Sequence, residues 1–274
     1  MLTEVWINGE WRSVREAAVS VDDRNFLLGD GCFETIRFAN GVMEGVDYHL
    51  NQLERSMRVL GISNSPGPRV LSDALTECAD RLNHSAVTLA AARLTLSRGE
   101  GRGADGGGTP NIVVSVSPAP QRPLQPLQVK TSAIRRNETS PVSTIKATSY
   151  ADNLNAFRDA KSKGADEALM LNTQGRIAGL SLGNLLIMRE EEVITPPESE
   201  GVRPGYMREQ VLSALKDGGL KIDIRPVEPA EILDANASLY GMNSLWGVRA
   251  LAKLDGRTVS SHSRGEQLFG HLMV

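Results

Sequence analysis

Ser143-Thr144-Ile145-Lys146-Ala147-Thr148-Ser149-Tyr150 sets one lysine between an apolar step and a helix that begins just beyond it. Ser149 followed by Asp152 has the spacing of a capping box, which predicts a helix over Ala151–Lys163. The ammonium of Lys146 is therefore expected beside packed structure and not at a loop tip. Partial desolvation makes such an amine a usable nucleophile and general base, suited to an aldehyde.

Working outward, the residues after Lys146 alternate short apolar runs, Glu167–Asn172 and Leu185–Met188, with a second helical period over Met207–Lys216. Leu127–Thr131 is the strand expected before it. Further upstream, Pro118, Pro120, Pro123 and Pro126 form a stiff stretch with neither helix nor sheet capacity. Three parts follow from this: an α/β domain over 1–117, a linker over 118–126, and a second domain over 127–274 that carries Lys146. In the first part, Val5–Val14 alternates around Asn8-Gly9, a hairpin signal. Leu50, Leu53, Met57 and Leu60 recur at helical spacing before Gly61, and Val70–Leu82 reads as a second helix. Val87–Leu96 and Asn111–Val116 read as strands of a hairpin closed by a glycine-rich loop.

Composition narrows the function. The chain has 274 residues, 41% hydrophobic and 23% charged, the profile of an ordinary globular protein with a sizeable core. A formal charge of −3 offers no field for nucleic acid or an anionic membrane, and no apolar run is long enough to span one. Arginine outnumbers lysine by 23 to 7, which favours a small anionic ligand gripped by guanidinium forks. Cys32 and Cys78 form no disulfide framework, and no spacing joins them to a histidine as metal ligands. With no export signal at Met1–Arg15, a reducing, cytoplasmic setting is expected.

Two short motifs fail in context. Gly101-Arg102-Gly103-Ala104-Asp105-Gly106 has the dinucleotide pattern, but Gly108-Thr109-Pro110 then leads into a strand, not into a phosphate-binding helix. Gly179-Leu180-Ser181-Leu182-Gly183 matches a hydrolase nucleophile elbow, with Asp234 and His262 following in hydrolase order. An elbow passes from strand to helix, whereas Asn184–Met188 reads as another strand.

An ordered set of segments carries more weight than either motif. Gly29–Arg37 (GDGCFETIR), Leu94–Gly99 (LTLSRG), Ile145–Asn153 (IKATSYADN), Gly164–Leu169 (GADEAL) and Asn243-Ser244-Leu245 resemble, in that order, the class IV aminotransferases. These are the pyridoxal 5'-phosphate (PLP) enzymes of fold type IV, and the likeness runs from about Val5 to about Leu254. It implies a two-domain α/β homodimer with its ligand in the cleft between domains. Lys146 would be the catalytic lysine, which joins the cofactor aldehyde and shuttles the proton. Ser244 with the backbone of Tyr206 and Met207 would form the phosphate cup, and Arg98 and Arg102 lie where the family binds substrate carboxylates. Thr35 and Asn243–Val248 are similar to the lyase branch, which cleaves 4-amino-4-deoxychorismate to 4-aminobenzoate and pyruvate, a step of folate precursor synthesis.

Two positions depart from the family pattern. The glutamate expected against the cofactor's pyridine nitrogen is Gly179, and the arginine expected against its phosphate is Gln52. A carboxylate at the first keeps the ring nitrogen protonated and electron-withdrawing. Three functions follow as expectations: the PLP-dependent lyase, a transaminase acting on a small amino acid, and a family member that has become independent of the cofactor.

Overall fold

The computed structural model describes residues 3–260, apart from 65, 105, 120, 124, 190 and 191. Two units emerge: 1–121 together with 145–150, and 122–144 together with the chain from 151 onward. The expected assignment of Lys146 to the C-terminal part is thereby corrected. Backbone pairing is the reason: Phe33 N–H donates to Lys146 O at 2.9 Å and Thr148 N–H to Gly31 O at 2.9 Å, so six residues return to the first unit as an added strand edge.

The first unit holds β1 (Glu4–Ile7), β2 (Glu10–Ser13), α1 (Arg24–Leu28), β3 (Gly31–Ala39), β4 (Val42–Met43), α2 (Val46–Leu60), α3 (Pro68–His84), β5 (Leu89–Ser97) and β6 (Ile112–Pro118). Its sheet runs β2-β1-β6-β5-β3-β4. The β1–β2 hairpin turns at Asn8 (φ 51°) and Gly9 (φ 102°), the left-handed pair that a two-residue turn of this twist requires. Gly61, at φ 67°, ends α2 where the periodicity predicts. One face of the sheet packs Cys32, Ile36, Phe38, Leu94 and Leu96 against Leu50, Leu53 and Met57 of α2 and Leu71, Leu75 and Leu82 of α3.

Strand alternation leaves the odd-numbered residues of β3 on the opposite face. The register Phe33↔Thr95 and Thr35↔Arg93 sets these four side chains together there. The bridge Cys32↔Ala147 adds Lys146 to the same face, across from Phe33.

The second unit holds β7 (Leu127–Arg136), α4 (Ala151–Ser162), β8 (Glu167–Asn172), β9 (Ile177–Leu180), β10 (Asn184–Arg189), β11 (Glu192–Thr195), α5 (Tyr206–Asp217), β12 (Lys221–Ile224), β13 (Ser238–Asn243), β14 (Gly247–Leu254) and β15 (Arg257–Thr258). Eight strands run β12-β11-β10-β13-β14-β7-β8-β9, with β15 pairing β14. Every residue of β8 is buried, as is usual for a strand covered on both sides. Leu186, Met188, Tyr240 and Met242 pack with Met207, Val211 and Leu215 of α5. Leu185, Ile187, Leu239 and Leu251 belong to a second cluster.

Candidate active site

Lys146 lies 4.2 Å from the ring centroid of Phe33 and 5.1 Å from that of Tyr150. The two rings meet edge to face at 5.5 Å. Aromatic faces attract a cation, so the two rings help to hold the ammonium in place. Thr148 fixes the turn beyond it by donating its hydroxyl to Gly29 O at 2.9 Å.

Arg93, which sequence reasoning did not single out, reaches the same ring: its guanidinium carbon is 3.6 Å from the Phe33 centroid. Its Nε donates to the Thr95 hydroxyl at 3.1 Å. Burial pulls its pKa below the usual arginine value, opposed by the Tyr150 phenol nearby. The guanidinium still stays charged. An amine and a guanidinium thus share one aromatic ring, with Thr35 cross-strand from Arg93. The signal that could have found Arg93 is strand parity, since it is the sole charged residue of β5.

Arg98 and Arg102 do other work than expected. Arg98 Nε donates to Asp30 at 2.8 Å, and its two amino groups donate to Gly61 O at 3.0 Å and to Leu60 O. It satisfies orphan carbonyls at the end of α2 and cannot also fork a substrate carboxylate. Arg24 donates to the same Asp30 at 2.9 Å and to Gly103 O at 2.5 Å. Burial raises the Asp30 pKa, but the hydrogen bonds from Arg98 and Arg24 outweigh it and the net shift is downward. Arg102 is 77% exposed and pairs with Asp22 at 2.5 Å. Gly101–Gly106 belongs to the loop between β5 and β6, Asp105 lying outside the described residues.

Gln52 is half-buried on α2, beside Leu53, and its carbonyl accepts the Ser56 hydroxyl at 2.8 Å. On the core face, Glu34 lies 2.8 Å from His49 Nδ1, both side chains almost wholly buried.

In the second unit the candidate residues lie on the loops around β9, β10, β13 and the start of α5, and what they offer is backbone. Gly179 has φ 101°, a conformation that suits glycine. Leu180 N–H donates to Gly183 O at 2.9 Å. A Cβ on Gly183 would lie 2.7 Å from Met242 O and 3.3 Å from the Trp246 ring, so this loop presses against the turn that bears Ser244. Asn243 fastens that turn, accepting from Leu245 and Trp246 N–H at 3.0 Å each and donating to Leu182 O at 3.0 Å. Asn184 donates to Arg203 O at 2.8 Å, and a Cβ on Gly205 would meet its Oδ1 at 2.3 Å. Gly205 opens α5 with no side-chain cap. The Gly179–Gly183 loop, the turn that bears Ser244 and the start of α5 are thereby linked through Gly183 and Asn184.

Ser181 is no nucleophile elbow. It lies between β9 and β10, and its hydroxyl is donated to the buried carboxylate of Glu167, whose pKa burial pushes up. Asp234 faces Arg189, and His262 lies outside the described residues. Among the described residues no cluster of His, Cys, Asp or Glu is placed to hold a metal, and no helix is long and apolar enough to cross a membrane. Burial pushes the thiols of Cys32 and Cys78 up to about 12.

Two observations bear on whether these residues suit a phosphorylated aldehyde. The first unit supplies an amine kept against two rings, and the second an uncapped N-terminus on a twelve-residue helix, a ready seat for a phosphate. Taken separately, the amine suits an aldehyde and the helix N-terminus a phosphate, while Gly179 and Gln52 supply no charge.

The chain is similar to known proteins over nearly its whole length. The chain is 26% identical over 264 residues to the aminodeoxychorismate lyase of Bacillus subtilis, covering 94% of this chain and 89% of that one. It is 26% identical over 265 residues to the D-alanine aminotransferase of Bacillus licheniformis, covering 96% and 92%. Its fold superimposes on that of a hypothetical aminotransferase from Mycobacterium tuberculosis, in its PLP-bound form, with a TM-score of 0.88 at 23% identity, covering 99% of each chain. The profile of the amino-transferase class IV family matches residues 31–254, and the chain belongs to that family.

Proposed function

We propose that this protein is a PLP-dependent 4-amino-4-deoxychorismate lyase. The observation that carries this reading is the shared face of β3 and β5, where Lys146, Phe33, Thr35 and Arg93 stand together. The substrate bears carboxylates and an amine on a ring one elimination short of aromatic. Arg93 takes the place expected of Arg98 and Arg102 and anchors a carboxylate through its charged fork. Thr35 offers a hydroxyl beside it.

Lys146 would hold the aldehyde of PLP, and the N–H groups of Tyr206 and Met207 with Ser244 would hold its phosphate. When bound, PLP draws electrons from the carbon that carries the substrate's amine and acidifies its hydrogen. Lys146 Nζ accepts that proton, and Phe33 and Tyr150 keep water from competing for it. The freed carbon–hydrogen pair becomes a ring double bond, and the ring carbon–oxygen bond breaks. The departing enolate is protonated to pyruvate, leaving 4-aminobenzoate. The gain of aromaticity drives this step, so it demands less electron withdrawal than amino transfer does. A site with glycine at 179 suits the lyase better than the transaminase for that reason.

The protein would act as a homodimer, for which Val21, Phe26 and Leu28 offer exposed apolar surface, Phe26 being 74% exposed. The test is direct. Purified protein with aminodeoxychorismate should release 4-aminobenzoate, read by fluorescence, and an equal amount of pyruvate. Lys146→Ala should lower the rate by at least about a thousandfold. Amino transfer from D-alanine to 2-oxoglutarate without 4-aminobenzoate formation would overturn the reading in favour of a transaminase.

A further inference from the structure

Thr95 stands on β5 directly opposite Phe33, and Arg93, two residues before it, stands opposite Thr35. A side chain reaching straight across from Arg93 would meet Thr35. The guanidinium lies instead over the diagonal neighbour, its carbon 3.6 Å from the Phe33 ring centroid. Arg93 Nε donates to the Thr95 hydroxyl at 3.1 Å, and Thr95 is the residue paired with that ring. Thr95 thus draws the arginine along its own strand and onto Phe33.

A guanidinium has two edges that can fork a carboxylate: one made by Nε with a terminal amino group, the other by both terminal amino groups. Thr95 engages Nε and closes the first edge, while the Phe33 ring covers the plane of the group from one side. Among the described residues the two terminal amino groups make no hydrogen bond or ion pair, which leaves the second edge open. The Thr95 hydroxyl accepts from Nε and keeps its own proton to donate. We propose that Thr95 is a positioning residue, whose hydroxyl holds Nε so that Arg93 grips one planar carboxylate end-on through its terminal edge. Without this bond each ligand would have to order the long side chain afresh, which costs part of the affinity that a fork confers. The inference rests on the proposed lyase reading, in which substrate and 4-aminobenzoate both carry such a carboxylate, and it names what orients their anchor.

The experiment measures, by calorimetry on the full-length protein as purified, the binding of 4-aminobenzoate and of its neutral amide, 4-aminobenzamide, with no turnover required. The wild-type protein should prefer the acid by at least about tenfold. Thr95→Val, which keeps the branched shape and removes the hydroxyl, should weaken the acid about tenfold and the amide less than about threefold. Thr95→Ser, which retains the hydroxyl, should bind the acid within about threefold of wild type. In an Arg93→Met background Thr95→Val should weaken the acid no further, because it acts through that arginine. Undiminished acid binding in Thr95→Val overturns the inference and leaves the lyase reading standing, as does a loss that persists in full in the Arg93→Met background. If the wild-type protein shows no preference for acid over amide, Arg93 grips no carboxylate and the inference falls; release of 4-aminobenzoate and pyruvate from aminodeoxychorismate then judges the lyase reading by itself. Should Thr95→Val not fold, Arg93→Lys decides: a point charge with no edge should lose about tenfold for the acid, and an affinity equal to wild type refutes the end-on grip.

Discussion

The two units offer different kinds of candidate residue. In the first they are side chains: the Lys146 amine and the Arg93 guanidinium, both against the Phe33 ring. In the second they are backbone: the N-terminus of α5, which Gly205 gives no side-chain cap, the left-handed Gly179 and the glycines at 183 and 205, which admit close approach. A side-chain site is altered one functional group at a time, and its losses are chemical. A backbone site is altered by anything that adds volume, and its losses are geometric.

The contrast can be broken at four places, from large effect to small. Arg93→Met should lower kcat/KM about a hundredfold, mainly through KM, while thermal stability stays near wild type; steady-state kinetics and a melting curve decide. A drop in stability with unchanged KM would return Arg93 to a structural role. Gly183→Ala should cost about 1–3 kcal/mol, because its Cβ would be 2.7 Å from Met242 O, an atom of the backbone that cannot swing aside. Denaturant unfolding measures that cost, and phosphate affinity should fall with it.

Arg98→Met should cost about 2 kcal/mol through the loss of its contacts to Asp30, Leu60 O and Gly61 O, with KM changed less than about threefold. A large rise in KM there would restore it as the carboxylate anchor. The smallest effect concerns acid. Asp30 is held below its ordinary 3.8 in the folded protein, so it contributes stability above that pH and loses it as the pH falls through the lower folded value. Stability measured between about pH 5 and pH 2 should therefore decline less steeply in Asp30→Asn than in wild type.

Much of the fold was legible because it rests on local signals. The Asn8-Gly9 hairpin, the span of α2 up to Gly61 and the strand Glu167–Asn172 appear where periodicity and turn chemistry set them. The strand after Ser181 also appears as read, which removes the hydrolase elbow. What local signals could not convey is register. Arg93 becomes a site residue only because β5 pairs with β3 in one alignment, and nothing near Arg93 in the chain announces that partner. Arg98 looked like a ligand fork because the end of α2, some 38 residues earlier, is its true partner. The return of 145–150 to the first unit is likewise a tertiary event, recorded in hydrogen bonds to Gly31 and Phe33 and not in composition. Strands such as β11, β12 and β15 are too short to show a period.

β3 serves two masters on alternate residues: Cys32, Ile36 and Phe38 face the core while Phe33 and Thr35 face the site. Inserting or deleting a single residue between Gly31 and Thr35 would exchange the two faces downstream, putting Glu34 where an aromatic or hydroxyl belongs and leaving the helices without their apolar counterpart. Natural variation along this strand should accordingly arise by substitution alone, with changes of length displaced to the turns at either end.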